Sequence, residues 1–237
     1  MELCDLEATS KVCKDADVFL SVDNSFMSPY GQRPLEFGVD VVMQSSTKSL
    51  SGHSDVLGGV LTTNNEDLAE RLQFMLKATG GVPSPFDNWI LLRSTKTLAL
   101  RYQKASDNAE KLAQWLSKQK SIDRIIYPGL KSHPQNEIAK RQQLTPNGNI
   151  IYGNMISIDL GNKESRDTFL NHLELFTLAE SLGGVESLVC VPFNMTHAAV
   201  PIETKLEMGI TESLIRLSIG IENFEDLKSD LSKALEL

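Results

Sequence analysis

Short apolar runs alternating with stretches of helical spacing constrain the first half of this chain to an α/β layer with a largely parallel sheet. Val18–Val22, Val39–Met43 and Val56–Thr62 read as strands, the last rich in β-branched residues and containing Gly58-Gly59. A well-marked helix follows. Asn65 caps its start, Glu66 and Asp67 suit its positive end, and Leu68, Leu72 and Met75 recur on one face. Gly80-Gly81 ends it. The loop from Gly80 to Phe86 carries two prolines and precedes a helical stretch from about Asp87 to Leu116, long enough to link two domains.

From about Leu98 the pattern changes. Ala105, Ala109, Leu112 and Leu116 mark a helix over Ser106–Lys118, which leads into the apolar pair Ile125-Ile126 and a turn-rich connector, Pro128–Pro134. Asn154–Leu160, Ser187–Pro192 and Ser213–Ile219 read as strands, with a helix around Glu164–Leu173. The last helix starts at Asn223, has Asp226 as a capping partner, and buries Leu227, Leu231 and Leu235. This segregation predicts a smaller α+β C-terminal domain, so the expected division is 1–97 and 98–237.

At 237 residues the chain is long enough to bury the core of one large or two modest domains. Its net charge of -8 and the lack of any Lys/Arg block argue against nucleic acid or anionic membrane as the main partner. A small anionic ligand stays open, because a local site can be basic on an acidic protein. No run approaches the roughly 20 apolar residues of a membrane span. Cys4, Cys13 and Cys190 show no CxxC or zinc spacing, and His53, His133, His172 and His197 are scattered, so no metal site is expected. The opening Met1–Ala8 lacks the basic and apolar regions of a secretory signal. A reduced, cytoplasmic location is the expectation.

Two positions carry the chemistry. Asp23 follows the first apolar run, and Lys48 follows the second within Gln44-Ser-Ser-Thr-Lys-Ser-Leu-Ser-Gly-His-Ser-Asp55. Taken singly, an Asp at a strand end forms a turn and a Ser/Thr/Lys stretch is a solvated loop. Taken together they face one pocket, because neighbouring parallel strands point their C-terminal ends the same way. A carboxylate, several hydroxyls and one amine are what pyridoxal phosphate needs. The carboxylate holds the pyridinium proton, the hydroxyls take phosphate, and the amine binds the aldehyde. Ser45 and Thr47 alternate with Ser46, so in extended geometry their hydroxyls point the same way. No glycine-rich dinucleotide fingerprint or P-loop competes.

Six blocks then resemble one family in its own order. They are Asp23–Tyr30, Ser45–Asp55, Val82–Pro85, Pro128–Pro134, Leu178–Ser187 and Ile215–Glu222. The resemblance is to the Cys/Met-metabolism family of pyridoxal-phosphate enzymes, the trans-sulfuration enzymes. It implies an aminotransferase type I-like fold in which 1–97 is the C-terminal part of the coenzyme-binding large domain and 98–237 the small domain. It implies Lys48 as the catalytic covalent anchor, Asp23 as the pyridinium partner, and Ser45 and Thr47 as phosphate ligands. Arg216 matches the arginine that grips a substrate α-carboxylate, a task suited to its planar fork. Ser181 matches a residue near that carboxylate and the lysine, Glu180 an active-site acid, and Thr196 a pocket wall.

The reaction implied is carbon–sulfur cleavage of cystathionine to cysteine, 2-oxobutyrate and ammonia. A synthase that adds cysteine to the same kind of intermediate is the alternative. The resemblance implies an assembly that is usually a homotetramer, a tetramer built of dimers. The resemblance also implies that this chain starts inside the large domain, without the glycine-containing phosphate turn or the aromatic partner of the ring. The tyrosine and arginine lent across the dimer interface are also expected to be missing. A non-catalytic chain that associates with a full-length homologue is therefore a further expectation.

Overall fold

The computed structural model describes residues 1–236. Helix α1 (Leu6–Asp15) is capped by the Asp5 carboxylate, which accepts from the Ala8 amide. It packs on a short 3-10 turn, Pro34–Phe37. Strand β1 (Ser21–Asp23) runs parallel to β2 (Val41–Ser45), with Asp23 opposite Met43. Leu6, Val39 and Val42 form the small core beneath this pair. Between the strands, α2 (Ser28–Gly31) is a single turn.

Strand β3 (Gly59–Thr62) is antiparallel to β2, where a parallel neighbour was expected. The reason lies in the connection Ser46–Gly58, which holds only one helical turn. A parallel return needs a crossover long enough to retrace the strand. Strands start later than their apolar runs: Val18 and Phe19 precede β1 and are exposed.

Helix α3 (Glu66–Thr79) has the expected caps, Asn65 bonding the Leu68 amide and Gly80 at φ +70°. It nevertheless buries no residue. The single helix expected over 87–116 is two, α4 (Pro85–Thr95) and α5 (Leu98–Leu116). Thr97 makes the break. Its hydroxyl donates to the Ser94 carbonyl at 3.0 Å and accepts from Arg101 Nε at 3.1 Å, a local bond that competes with the helical ladder. The early turns of α5 pack Leu98 and Tyr102 against Met27 and Leu50.

The rest forms a five-stranded sheet backed by helices. It contains β4 (Arg124–Ile126), β5 (Met155–Asp159), β6 (Thr177–Leu178), β7 (Leu188–Cys190) and β8 (Leu214–Ser218), in the order β4-β5-β8-β7-β6. Only β6 and β7 pair in parallel. Helices α6 (Asn136–Gln142), α7 (Lys163–Asn171), α8 (Ile202–Glu207) and α9 (Phe224–Leu235) complete it. Ala109, Leu112, Ala113 and Leu116 of α5 meet Ile156, Ile158, Ile215, Leu217, Leu227 and Leu231 in the main core. Each fully buried Leu or Ile contributes about 1.5–3 kcal/mol. Period two then puts Arg216, between Ile215 and Leu217, on the opposite face from that core.

Candidate active site

Both strand ends of the first sheet meet at one edge. The Asn24 amide donates to the Met43 carbonyl, and the Ser45 amide donates to Ser25 Oγ at 2.7 Å. The chain past β1 is thus bonded to the chain past β2, just before the turn that carries Lys48. That turn, Ser46–Leu50, is a single wide helical turn whose backbone departs from helix at Lys48 (φ −91°, ψ −134°). It is closed by the Ser51 amide on the Ser46 carbonyl and the Gly52 amide on the Lys48 carbonyl.

The segment after β6 is fastened to this turn. Val185 donates its amide to the Gly52 carbonyl, and Gly183 donates to Ser218 Oγ at 2.9 Å. Gly183 has φ +76° and lies so close to Ser49 that a Cβ there would come 2.9 Å from the Ser49 nitrogen. Only glycine meets both demands. This close approach delivers Ser181, whose Oγ is 3.3 Å from Lys48 Nζ. Arg216, half-buried on β8, donates from Nη2 to the Glu180 carbonyl at 2.7 Å. Its cross-strand neighbours on that face are Ser157 and Cys190.

Electrostatics agree with this grouping. Burial lowers the Lys48 pKa from its usual 10.5, the Arg216 charge lowers it further, and the Glu180 carboxylate opposes both. Burial likewise pushes the Cys190 thiol up, and Arg216 pulls it back. Lys48, Ser181, Glu180 and Arg216 therefore form one cluster. Glu180 joins it through its carbonyl, while its side chain is exposed.

The other expected residues make no hydrogen bond to this cluster among the described residues, and of the cluster only Arg216 lines the cleft on which Asp23 sits. Asp23 accepts the Ser25 amide at 2.9 Å and is exposed at the wall of a cleft of about 870 Å³. Arg216 and His197 line the same cleft from the second sheet. The Thr47 hydroxyl accepts the Gly58 amide at 3.0 Å and lies 3.4 Å from the Gly58 carbonyl, too long a contact to hold its hydrogen against a charged acceptor. Ser45 ends β2, half-buried. Thr196 is exposed and bonds only His197 Nδ1, at 2.9 Å, among the described residues. Sequence reasoning missed Ser25, Ser46, Gly183 and Arg101. Ser25, Gly183 and Arg101 act through backbone groups distant in sequence, and Ser46 through a buried hydroxyl left without a hydrogen-bond partner among the described residues, for which no residue pattern gives a signal.

Comparison with known proteins gives these groups a frame. A family model described as Cys/Met metabolism PLP-dependent enzyme matches residues 1–236. Cystathionine gamma-lyase of Bacillus subtilis strain 168 is 48% identical over all of this chain, which covers 61% of that relative. Cystathionine beta-lyase of Lactococcus lactis subsp. cremoris strain MG1363 is 45% identical, with 60% of it covered. Among solved structures, cystathionine gamma-lyase from yeast superposes with a TM-score of 0.94 at 43% identity, covering all of this chain and 61% of that one. Cystathionine gamma synthase from Xanthomonas oryzae pv. oryzae, in complex with cystathionine, gives 0.94 at 40% identity, covering 99% and 59%. This chain thus spans about 60% of the length of the curated relatives it matches. The chain belongs to the Cys/Met metabolism family of pyridoxal-phosphate-dependent enzymes.

Proposed function

We propose that this chain carries the lysine-bearing part of a cystathionine γ-lyase-type site, which cleaves cystathionine to cysteine, 2-oxobutyrate and ammonia. One observation carries the proposal: Lys48 Nζ lies 3.3 Å from Ser181 Oγ, with Arg216 close enough to depress its pKa. The residues present fit the family's coenzyme. Besides an amine, a carboxylate and the hydroxyls of Ser45 and Thr47, the turn holds Ser46 Oγ, buried and without a hydrogen-bond partner among the described residues. That unspent hydroxyl is a third donor for an oxyanion.

Pyridoxal phosphate held through its aldehyde supplies an electron sink for the pair left at the substrate α-carbon. The rest falls to this chain. Its depressed pKa gives Lys48 more neutral amine near neutral pH than a solvated lysine has, and neutral amine is the form that attacks an aldehyde or takes a proton. Lys48 Nζ, freed by the substrate amine, would take the proton from Cα. Loss of a Cβ proton would let the Cγ–S bond break, the sulfur leaving with a proton as thiol. Water would release the remaining four carbons as 2-oxobutyrate, with ammonia. Ser181 Oγ accepts from Nζ and holds it in line. Arg216 spends one N–H on the Glu180 carbonyl and keeps a fork for the substrate carboxylate. Asp23 keeps the ring nitrogen protonated, Ser45 and Thr47 take the phosphate, and Glu180 and Thr196 border the substrate. We place the domain division at 97/98 and the protein in the cytoplasm.

A second reading is a non-catalytic chain that associates with a full-length homologue, and a homotetramer is the assembly expected of the first. One experiment tests both. Purified chain is mixed with pyridoxal phosphate, alone and with a longer family member, and the absorbance of lysine-bound coenzyme is recorded for wild type and Lys48→Ala. A band in the wild type alone, absent from the variant, supports an independent site. A band that needs the longer chain supports the assembly reading. A folded chain with no Lys48-dependent band in either setting overturns the first. Product analysis with cystathionine then separates 2-oxobutyrate, the γ-cleavage product, from pyruvate. Cystathionine formed from cysteine and an activated homoserine marks the synthase.

A further inference from the structure

Arg101 is the one guanidinium that burial and geometry tie to the lysine turn. It sits in the first turn of α5, 8% exposed, and burial lowers its pKa. It makes no ion pair among the described residues. All its bonds go to neutral oxygens. Nη1 donates to the Ser49 carbonyl at 2.8 Å, and Nη2 to the carbonyls of Leu50 at 3.2 Å and Ser94 at 3.0 Å. Nε donates to Thr97 Oγ1 at 3.1 Å. A buried cation without a counter-charge is costly to maintain, so its partners must supply what a carboxylate would.

They do so as helix ends. Ser49 and Leu50 close the turn that carries Lys48, and Ser94 lies in the last turn of α4. Carbonyls at helix ends lack ladder partners and carry the negative end of the helix dipole. The guanidinium lies between two such ends, and Gly52 leaves room for it: a Cβ there would fall on Nη1. Resting on the reading of Lys48 as the anchor, we propose that Arg101 is a positioning residue, which fixes the second and third peptide units after Lys48 and so aims its amine at Ser181 and Arg216.

The argument is geometric. The direction of the Lys48 side chain is set by the peptides on either side of its Cα. The unit after its Cα is held by the Gly52 amide on the Lys48 carbonyl, and two residues before Lys48 the Ser46 amide is bonded to the Gly58 carbonyl. On the far side Arg101 holds the carbonyls of residues 49 and 50, and Gly183 presses on the Ser49 nitrogen. A lysine at 101 keeps a charge but not the planar fork that reaches four acceptors at once.

Competitive acetylation of the full chain without coenzyme, read by mass spectrometry across pH, tests this independently of catalysis. The titration midpoint of Lys48, set by its burial with Arg216 and Glu180 facing it, is followed against those of the exposed Lys118 and Lys120. In Arg101→Lys and Arg101→Met the Lys48 midpoint is expected to rise, which lowers its fraction of neutral amine at a given pH relative to wild type. Leu231→Ala, which opens the core under α9, lowers stability without touching the turn and is expected to leave the Lys48 midpoint in place. An unmoved midpoint in folded Arg101→Lys overturns the proposal, as does an equal shift in Leu231→Ala. Should Arg101→Met fail to fold, the comparison of Arg101→Lys with Leu231→Ala decides it. Failure of the coenzyme band in wild type, by contrast, removes the anchor reading and leaves this result standing.

Discussion

Lys48 holds a cation where the surroundings disfavour one. Burial and then Arg216 lower its pKa from 10.5, so the folded chain binds fewer protons there than the unfolded chain between the two pKa values. Stability therefore rises with pH through that window, and the cost of the buried charge is fully present below it. Lys48→Met is expected to raise the thermal midpoint at neutral pH, with the gain fading as pH approaches 10.5. Thermal unfolding of both chains at neutral and alkaline pH checks this, and a gain that stays constant would assign the effect to packing. Lys48 was singled out by its polar turn after an apolar run, whereas Arg216 was expected only from the resemblance of Ile215–Glu222 to the family. Arg101 was not legible. Its acceptors on the lysine turn lie 52 and 51 residues away, and they are backbone carbonyls that every residue type carries.

Among the elements, β5 depends most on a polar contact at its end. Asp159 is buried, and although burial pushes its pKa up, bonds from Ser213 and Thr211, then the Gly161 amide and Arg124, hold it below the usual 3.8. A carboxyl with a depressed folded pKa adds stability that is present above the unfolded value and lost as pH falls through the folded one. Asp159→Ala removes the acceptor of the buried Ser213 hydroxyl and the half-buried Thr211 hydroxyl beside β8, at a cost of about 1–3 kcal/mol. Chemical denaturation at neutral pH measures this loss, which shrinks in acid, where the wild-type carboxylate is itself protonated. A variant as stable as wild type at neutral pH would remove Asp159 as the joint between the two strands. The positions of β5, β7 and β8 were legible from their apolar runs, and α3 and α9 from their caps. The antiparallel return of β3 and the break before α5 were not. The first depends on how far a connection travels, and the second on Thr97 choosing Ser94 and Arg101 over the helix.

At the scale of the whole molecule, two parts of the chain are finished to different degrees. The five-stranded sheet has a continuous core between α5 and α9, whereas α3 buries no residue and the neighbouring α4 buries only Ser94. Phe74 (69%), Phe86 (67%), Trp89 (59%) and Leu92 (68%) are exposed on these two helices. Apolar side chains gathered this way mark an interface rather than a solvated surface. In line with the assembly reading, the occupant expected here is a second copy of this chain, since symmetric pairing lets one apolar patch cover another. Light scattering is therefore expected to give a mass that is a multiple of 26.2 kDa. Trp89→Ser with Leu92→Lys, one turn apart on α4, places a charge in that patch and should return the mass toward one chain. Because α4 contributes so little to the core, these substitutions should leave the circular-dichroism spectrum unchanged. A wild-type chain that is monodisperse at 26.2 kDa would reject self-association through this face.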